Sequence, residues 1–190
     1  LSHPFSLAQA LGFAAAFHSD RREWQIAREQ AEAVITLSTE QGFPFWLAQG
    51  IIVRGGALAE QGQVEEGIEQ MQQGLAAFRA LGAELARTAL LHMLAAVYIK
   101  VGRIVEGLNM VAEALTFMDK TGERFSEAEL YRLKGELTLQ KLSVLSSQFS
   151  VPSTQHLTPS PQAEVEQEAE ECLQKAIAIA QRQQAKSLEL

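Results

Sequence analysis

Cysteine is almost absent from the sequence: Cys172 is the single one among 190 residues. One thiol excludes an internal disulfide, and there is no second cysteine with which to build a metal site. Cys172 stands between Glu171 and Leu173 in a helical pattern, which favours a small buried apolar side chain over a reactive thiol. The lack of disulfides fits a reducing, cytoplasmic location.

Long hydrophobic runs and a secretion signal are also missing. No stretch approaches the roughly 18 apolar residues of a membrane-spanning helix. The start of the chain, residues 1–4, lacks an initiator methionine and a charged n-region, so it is not a signal peptide. We therefore expect no membrane partner, and we interpret the chain as a fragment of a longer protein.

Positive charge is scarce as well. The formal net charge is -7, whereas nucleic-acid-binding domains usually carry a basic face or stripe. This balance argues against nucleic acid as a partner. The densest acidic stretch, residues 164–171, is interrupted by neutral residues and is interpreted as a solvated helix face.

Motifs that carry chemistry are not found. The sequence has no G-x-x-x-x-G-K-[ST] phosphate loop and no G-x-G-x-x-G dinucleotide loop, and it has neither a G-x-S-x-G nor an H-E-x-x-H motif. None of the four histidines (His3, His18, His92 and His156) lies three or four residues from another. We expect a protein that is not an enzyme and that has no cofactor and no metal site.

What the sequence does contain is an internal repeat with a period of about 40 residues. Turn glycines, small residues and apolar residues all recur at this interval. The series are Gly42, Gly82, Gly122; Gly62, Gly102; Ala15, Gly55, Ala95, Gly135; Ala27, Gly67, Gly107; Phe5, Phe45, Leu85, Phe125; and Phe13, Val53, Met93, Leu133. Trp24 and Trp46 also fall on apolar repeat positions, which favours a place in the core over ligand stacking.

Each repeat is predicted to form two helices. In the second repeat the first helix covers about 45–60 and the second about 64–81, and each ends at a glycine that adopts the left-handed conformation without strain. Gly55 is expected to face Gly67, because two antiparallel helices approach closely only where side chains are small. One helix pair cannot bury its apolar face alone, so the pairs must stack.

The spacing of small residues resembles that of tetratricopeptide (TPR) repeats. It occurs as Gly55, Gly62, Gly67, Gly74 and again as Ala95, Gly102, Gly107, Ala114, whereas in the first repeat Arg22 takes the place of the turn glycine. The resemblance implies an all-α fold, a right-handed superhelical solenoid of antiparallel helix pairs. The period is longer than is usual for TPR repeats and falls in the HEAT range, so a HEAT-like solenoid is the alternative.

The register predicts a single repeat domain over residues 1–190. Its repeats lie at approximately 5–42, 43–82, 83–122 and 123–184, and residues 185–190 begin a further repeat. Residues 143–163 are rich in serine and threonine and hold three of the five prolines, so they are predicted to form a loop inserted in the fourth repeat. Loops of this length are either functional or disordered; the functional interpretation makes Thr158 and Ser160, each followed by proline, candidate phosphorylation sites.

The stretches 57–62 and 185–190 are similar to the C-terminal repeat region of bacterial multidomain signalling ATPases and adenylate or guanylate cyclases. The TPR resemblance further implies a concave groove lined by the first helix of each repeat. The positions that it assigns to this partner-binding groove are Gln9, Gln49, Ile52, His92, Lys100, Glu129, Arg132 and Glu136. For each of them, simple solvation without a partner is the alternative.

These features lead to one main function and two alternatives. The main one is a protein-protein interaction scaffold within a signalling protein, which binds a peptide, a partner domain or another domain of its own chain. The first alternative is a structural spacer or self-association element, dimerising through an uncapped C-terminal half-repeat. The second is a small-molecule sensor in which His92 and Arg132 contact an anion.

Overall fold

The computed structural model describes residues 3–84, 86–148 and 161–184. Within these ranges the chain forms eight α-helices and no strand, which confirms the predicted all-α class. The helices are α1 (Pro4–Asp20), α2 (Trp24–Gln41), α3 (Pro44–Glu60), α4 (Val64–Ala80), α5 (Arg87–Lys100), α6 (Ile104–Thr121), α7 (Glu127–Gln148) and α8 (Pro161–Gln183).

The helix boundaries follow the period of the sequence repeat. Helices α1 and α3 begin at Pro4 and Pro44, and α2, α4 and α6 begin at residues 24, 64 and 104. Proline suits the first position of a helix, because the amide hydrogen that it lacks would have no partner there. The predicted repeat of helix pairs is confirmed.

Residues with a left-handed backbone conformation recur at half the repeat period, and each of them lies at the end of a helix. The glycines concerned are Gly42 (φ 70), Gly62 (φ 97), Gly82 (φ 61), Gly102 (φ 70) and Gly122 (φ 75). Arg22 continues the series with φ 60, and its amide donates to the carbonyl of Ser19 as that of Gly62 donates to Ala59. The first repeat therefore keeps the turn even though its sequence lacks the glycine.

We expect Arg22→Gly to stabilise the protein. A side chain at a left-handed position destabilises the protein by about 1–2 kcal/mol, and glycine removes this cost. Glycine also raises the entropy of the unfolded chain, which offsets about 0.5–1 kcal/mol of the stabilisation. The free energy of unfolding, measured by urea titration with tryptophan fluorescence, should rise by about 0.5–1 kcal/mol. Arg22→Ala is the matched control: it removes the same charged side chain but keeps the strained conformation, so an equal gain there would contradict the explanation.

The chain comprises two compact units, unit 1 (Leu1–Leu90) and unit 2 (Leu91–Leu190). The single array over residues 1–190 stays a prediction. In unit 1, α3 lies at the centre and packs against α1, α2 and α4. Eleven of its 17 residues are buried, among them Trp46, as predicted for that tryptophan.

Helices α3 and α4 approach each other backbone to backbone at Gly55 and Gly67. A methyl group on Gly55 would lie 2.6 Å from the carbonyl oxygen of Gly67, and one on Gly67 would lie 2.5 Å from that of Gly55. Seven residues further along α4, Gly74 lies against Ile52 and Ala48, so the two helices run antiparallel. The predicted facing of Gly55 and Gly67 is confirmed.

Unit 2 is built around α7, which packs against α6 and α8. Gly135 of α7 lies against Leu173 of α8, while Ala128 packs with Ile179 and Ala180. Cys172 is buried and free, and burial raises the pKa of its thiol. The predicted small buried side chain is confirmed for this cysteine.

The prediction of a loop over residues 143–163 is wrong at both of its boundaries. Helix α7 continues through residue 148, and α8 already begins at Pro161. Serines carry only a modest cost in a helix, and Pro161 occupies the first helical position, where proline starts a helix instead of breaking it. Residues 149–160, with Thr158 and Ser160, lie outside the described residues, as do residues 185–190.

Candidate partner-binding surfaces

In unit 1 the residues predicted to line a groove do not share one accessible surface. Gln9 is exposed on α1, but Gln49 and Ile52 are only 5% and 1% exposed. The amide of Gln49 donates to the carbonyl of Gly12 at 3.4 Å, and Ile52 fills the space beside Gly74. Gln49 and Ile52 therefore serve the packing of α3 and offer no surface to a partner.

In unit 2 the structure brings three of the predicted residues together on α7. Arg132 donates from Nε and Nη2 to the two carboxylate oxygens of Glu129, at 2.8 and 2.6 Å, and from Nη1 to Glu136. Gln140, one turn further, donates to the carbonyl of Ile99 on α5 at 3.1 Å. We call Glu129, Arg132, Glu136 and Gln140 the α7 row.

The electrostatics of the α7 row are set by the two carboxylates around one guanidinium. The hydrogen bond with Glu129 is the main reason why the pKa of Arg132 lies above its ordinary value. The three side chains remain partly exposed, so the oxygens of the two carboxylates can accept further hydrogen bonds. Glu129 and Glu136 accept three of the five hydrogen bonds that Arg132 can donate. An anion at Arg132 would also lie beside two carboxylates, so this cluster does not favour the anion-sensing hypothesis.

The two remaining predicted residues, His92 and Lys100, lie on α5. His92 is half-buried, and Lys100 is exposed at the last residue of the helix. Lys100 follows Ile99, the residue whose carbonyl accepts from Gln140, so the end of α5 adjoins the end of the α7 row. Gln140 is the member of this surface that the sequence did not indicate.

A second exposed surface, which lies on α1, was not predicted from the sequence. Phe5, Phe13 and Phe17 on α1 are 45%, 52% and 57% exposed, although Phe5 and Phe13 occupy repeat positions that are apolar throughout the chain. Phe13 packs edge-on against Trp46, with ring centroids 5.5 Å apart. We call Phe5, Gln9, Ala10, Phe13 and Phe17 the α1 face. The absence of any acidic residue, lysine or arginine between residues 4 and 19 could have revealed it.

The outer surface of α8 differs strongly from the α1 face. A shallow cleft there is lined by polar side chains, mainly Glu166, Gln167, Glu170, Glu171 and Gln174. The amide of Gln167 donates to Glu171 at 2.8 Å, and that of Gln174 donates to Glu170 at 2.9 Å. The acidic stretch is thus a solvated helix face, as its sequence predicts.

Two further findings concern the described ranges. They hold no group of three or more histidine, cysteine, aspartate or glutamate side chains arranged to bind a metal ion. Likewise, none of their helices combines the length and apolar character that crossing a membrane requires.

Comparison with known proteins gives matches at the level of structure. No protein-family model matches the sequence, and no curated protein matches it either. The chain is similar to the crystal structure of the nearly identical TPR-like repeats of a kinesin light chain-like protein from Podosopora anserina: 21% identity, 96% of this chain and 99% of that chain covered, TM-score 0.54. A variant of the same protein, with methionine in place of one glutamine, matches at 19% identity over 97% and 99% of the two chains, also with a TM-score of 0.54. At such identities the likeness concerns the fold, and the conclusion is that this chain has the TPR-like repeat fold.

Proposed function

We propose that the chain is a non-catalytic protein-interaction scaffold that binds a peptide or a partner domain along the α7 row. TPR-like repeats commonly mediate protein-protein interaction. The observation that carries the proposal is the Glu129–Arg132–Glu136 cluster, in which hydrogen bonds hold three long side chains in place at a partly exposed helix surface. Side chains that are already ordered lose less entropy when a partner binds.

The chemistry of the α7 row indicates the kind of partner. Two carboxylates and one guanidinium give this cluster a net negative charge, and Arg132 directs its donors at its own neighbours. The acceptors that this cluster presents are the carboxylate oxygens of Glu129 and Glu136. They favour a segment that carries lysine or arginine, because charge-assisted hydrogen bonds are stronger than neutral ones.

The test compares two double variants of the full chain. Peptides are selected from a displayed random library on the wild-type protein, and their affinities are measured by titration calorimetry. Glu129→Gln with Glu136→Gln removes both charges but keeps the shape, and we expect binding to weaken at least about tenfold, equivalent to about 1.4 kcal/mol. Glu164→Gln with Glu166→Gln removes two exposed charges from α8 and should leave the affinity unchanged.

Either of two results would contradict this proposal. The selection could yield no enrichment of basic residues, or both double variants could weaken binding equally, which would reveal a general effect of net charge. Circular dichroism on both variants checks that the helices are intact.

The wider setting is part of the same proposal. Residues 57–62 are similar to the repeat region of bacterial multidomain signalling ATPases and cyclases, and the buried, free thiol of Cys172 supports a reducing, cytoplasmic location. In such a protein the partner would be a basic segment of another domain or of a second protein.

A structural spacer or self-association element is the second candidate function, and the α1 face favours it. The sequence placed the self-association surface at a C-terminal half-repeat. Residues 185–190 lie outside the described residues, and the outer surface of α8 is acidic and amide-rich. The apolar exposed surface is instead on α1, where three phenylalanines are about half exposed.

A further inference from the structure

At two positions α1 is more exposed than its counterparts in the second and fourth repeats. The repeat period places Phe13 in register with Val53 and Leu133, and Phe17 in register with Ala57 and Leu137. Val53, Leu133, Ala57 and Leu137 are all buried. The same helix face that is covered in the second and fourth repeats is thus open in the first, and it carries two large aromatic side chains.

Unit 1 shows how this face is covered on α3. A methyl group on Gly50 would lie 2.7 Å from Val34 and 2.9 Å from Ile35, so α2 crosses α3 in close contact at this point. The equivalent residue of α1 is Ala10, which is exposed. Ser6, Ala10 and Ala14 follow each other at intervals of one turn, and side chains this small leave α1 open to the same close approach by another helix.

The lack of charge on α1 allows a second copy of this helix to pack on it. From Pro4 to Ser19 the chain has no aspartate, glutamate, lysine or arginine, although its formal net charge is -7. Two copies can therefore bring their α1 faces together without opposing like charges. The outer surface of α8 does not suit the α1 face, because Glu166, Glu170 and Glu171 would lose their hydration against phenylalanine.

We propose that the α1 face is the contact surface of a two-fold symmetric dimer, in which the α1 helices of two copies cross antiparallel close to Ala10. The phenylalanines of each copy pack on those of the other. The small side chains of Ser6, Ala10 and Ala14 allow the two helices to cross at a short distance. The α1 face shares no residue with the α7 row. The dimer can therefore be tested independently of peptide binding at the α7 row.

The size of the face sets the strength of the dimer. Aromatic side chains bury about 150–250 Å² each, so three half-exposed phenylalanines contribute roughly 300 Å² per copy. Stable interfaces bury about 800 Å² per partner. The dimer is therefore reversible, and the average mass should rise from that of the monomer towards twice that value as the concentration increases from about 5 μM to about 500 μM.

Sedimentation velocity over this range tests the interface. The wild-type chain should dimerise, whereas Phe13→Ser with Phe17→Ser should stay monomeric throughout. Val105→Ser with Phe125→Ser is the matched control, since both residues are more than two-thirds exposed but lie in unit 2, and it should dimerise as the wild type does. A monomeric wild type at the highest concentration, or an equal loss of dimer in the control, would overturn the proposal.

Two more variants keep the test decisive if removal of Phe13, which contacts Trp46, disturbs folding. Ala10→Glu leaves every phenylalanine in place and puts two like charges near the symmetry axis, so it should abolish the dimer. Ala10→Cys in a Cys172→Ser background should form a disulfide-linked dimer under mild oxidation. Failure of this cross-link, with a dimer still present in solution, would refute the two-fold arrangement.

Discussion

Replacing Gly67 with alanine is expected to lower the free energy of unfolding of unit 1 by about 3 kcal/mol, at the upper end of overpacking costs. The new methyl group would lie 2.5 Å from the carbonyl oxygen of Gly55 and 2.7 Å from the amide nitrogen of Ala59. Both atoms belong to the backbone of α3, so the conflict is relieved only if the two helices move apart. The better helix propensity of alanine offsets at most about 1 kcal/mol of this loss.

Gly107 provides the matched control, because it occupies the same position in the following repeat. A methyl group there would lie 2.7 Å from Leu137 Cδ2, the tip of a flexible side chain, and its next neighbours are 3.1 Å or more away. Leu137 can rotate, so Gly107→Ala should change the unfolding free energy by less than about 1 kcal/mol. Urea titrations followed by circular dichroism compare the two variants, and equal losses at both sites would show that backbone contact is not the cause.

Phe78→Ala should cause the largest loss, about 3–5 kcal/mol. The ring of Phe78 is completely buried on α4 and lies 5.2 Å from that of Phe45. Its removal leaves a cavity in the core of unit 1, where the surrounding helices can relax only partly. A domain of this size is stable by about 5–15 kcal/mol in total, so the variant should approach the limit of folding.

The measurement uses the two tryptophans, Trp24 and Trp46, which both lie in unit 1 and report its urea unfolding. Phe125→Ala removes the same side chain at a site that is 81% exposed in unit 2. Its unfolding, followed by circular dichroism, should stay within about 0.5 kcal/mol of the wild type. A small effect at Phe78 would indicate that unit 1 is less tightly packed than the structure shows.

The repeat could be predicted from the sequence because its signals are local. The backbone at Gly62 needs a left-handed conformation, and the contact between Gly55 and Gly67 leaves no room for a side chain, so each requirement fixes a residue type at a known spacing. Arg22 marks the limit of such reasoning. Once neighbouring turns and helices fix the conformation, a residue without the local preference can be held in it.

The candidate site could be predicted only in part, because exposure depends on the rotation of each helix and on its neighbours. Gln49 was placed in a groove by the register of the repeat, yet α1 covers it. Phe13 occupies a core position in the same register, yet about half of its side chain stays exposed. The repeat register placed Glu129, Arg132 and Glu136 in the groove. The structure pairs them because they lie three and four residues apart on one helix.

The burial of Cys172 has a practical consequence. A thiol with a raised pKa holds little thiolate at neutral pH, and it is the thiolate that reacts with alkylating reagents. Because Cys172 is also only 6% exposed, its alkylation should be slow unless α8 moves locally away from α7. The rate at which the native chain gains one alkyl group would report the local opening of its last described helix pair, and mass spectrometry could follow it without any engineered label.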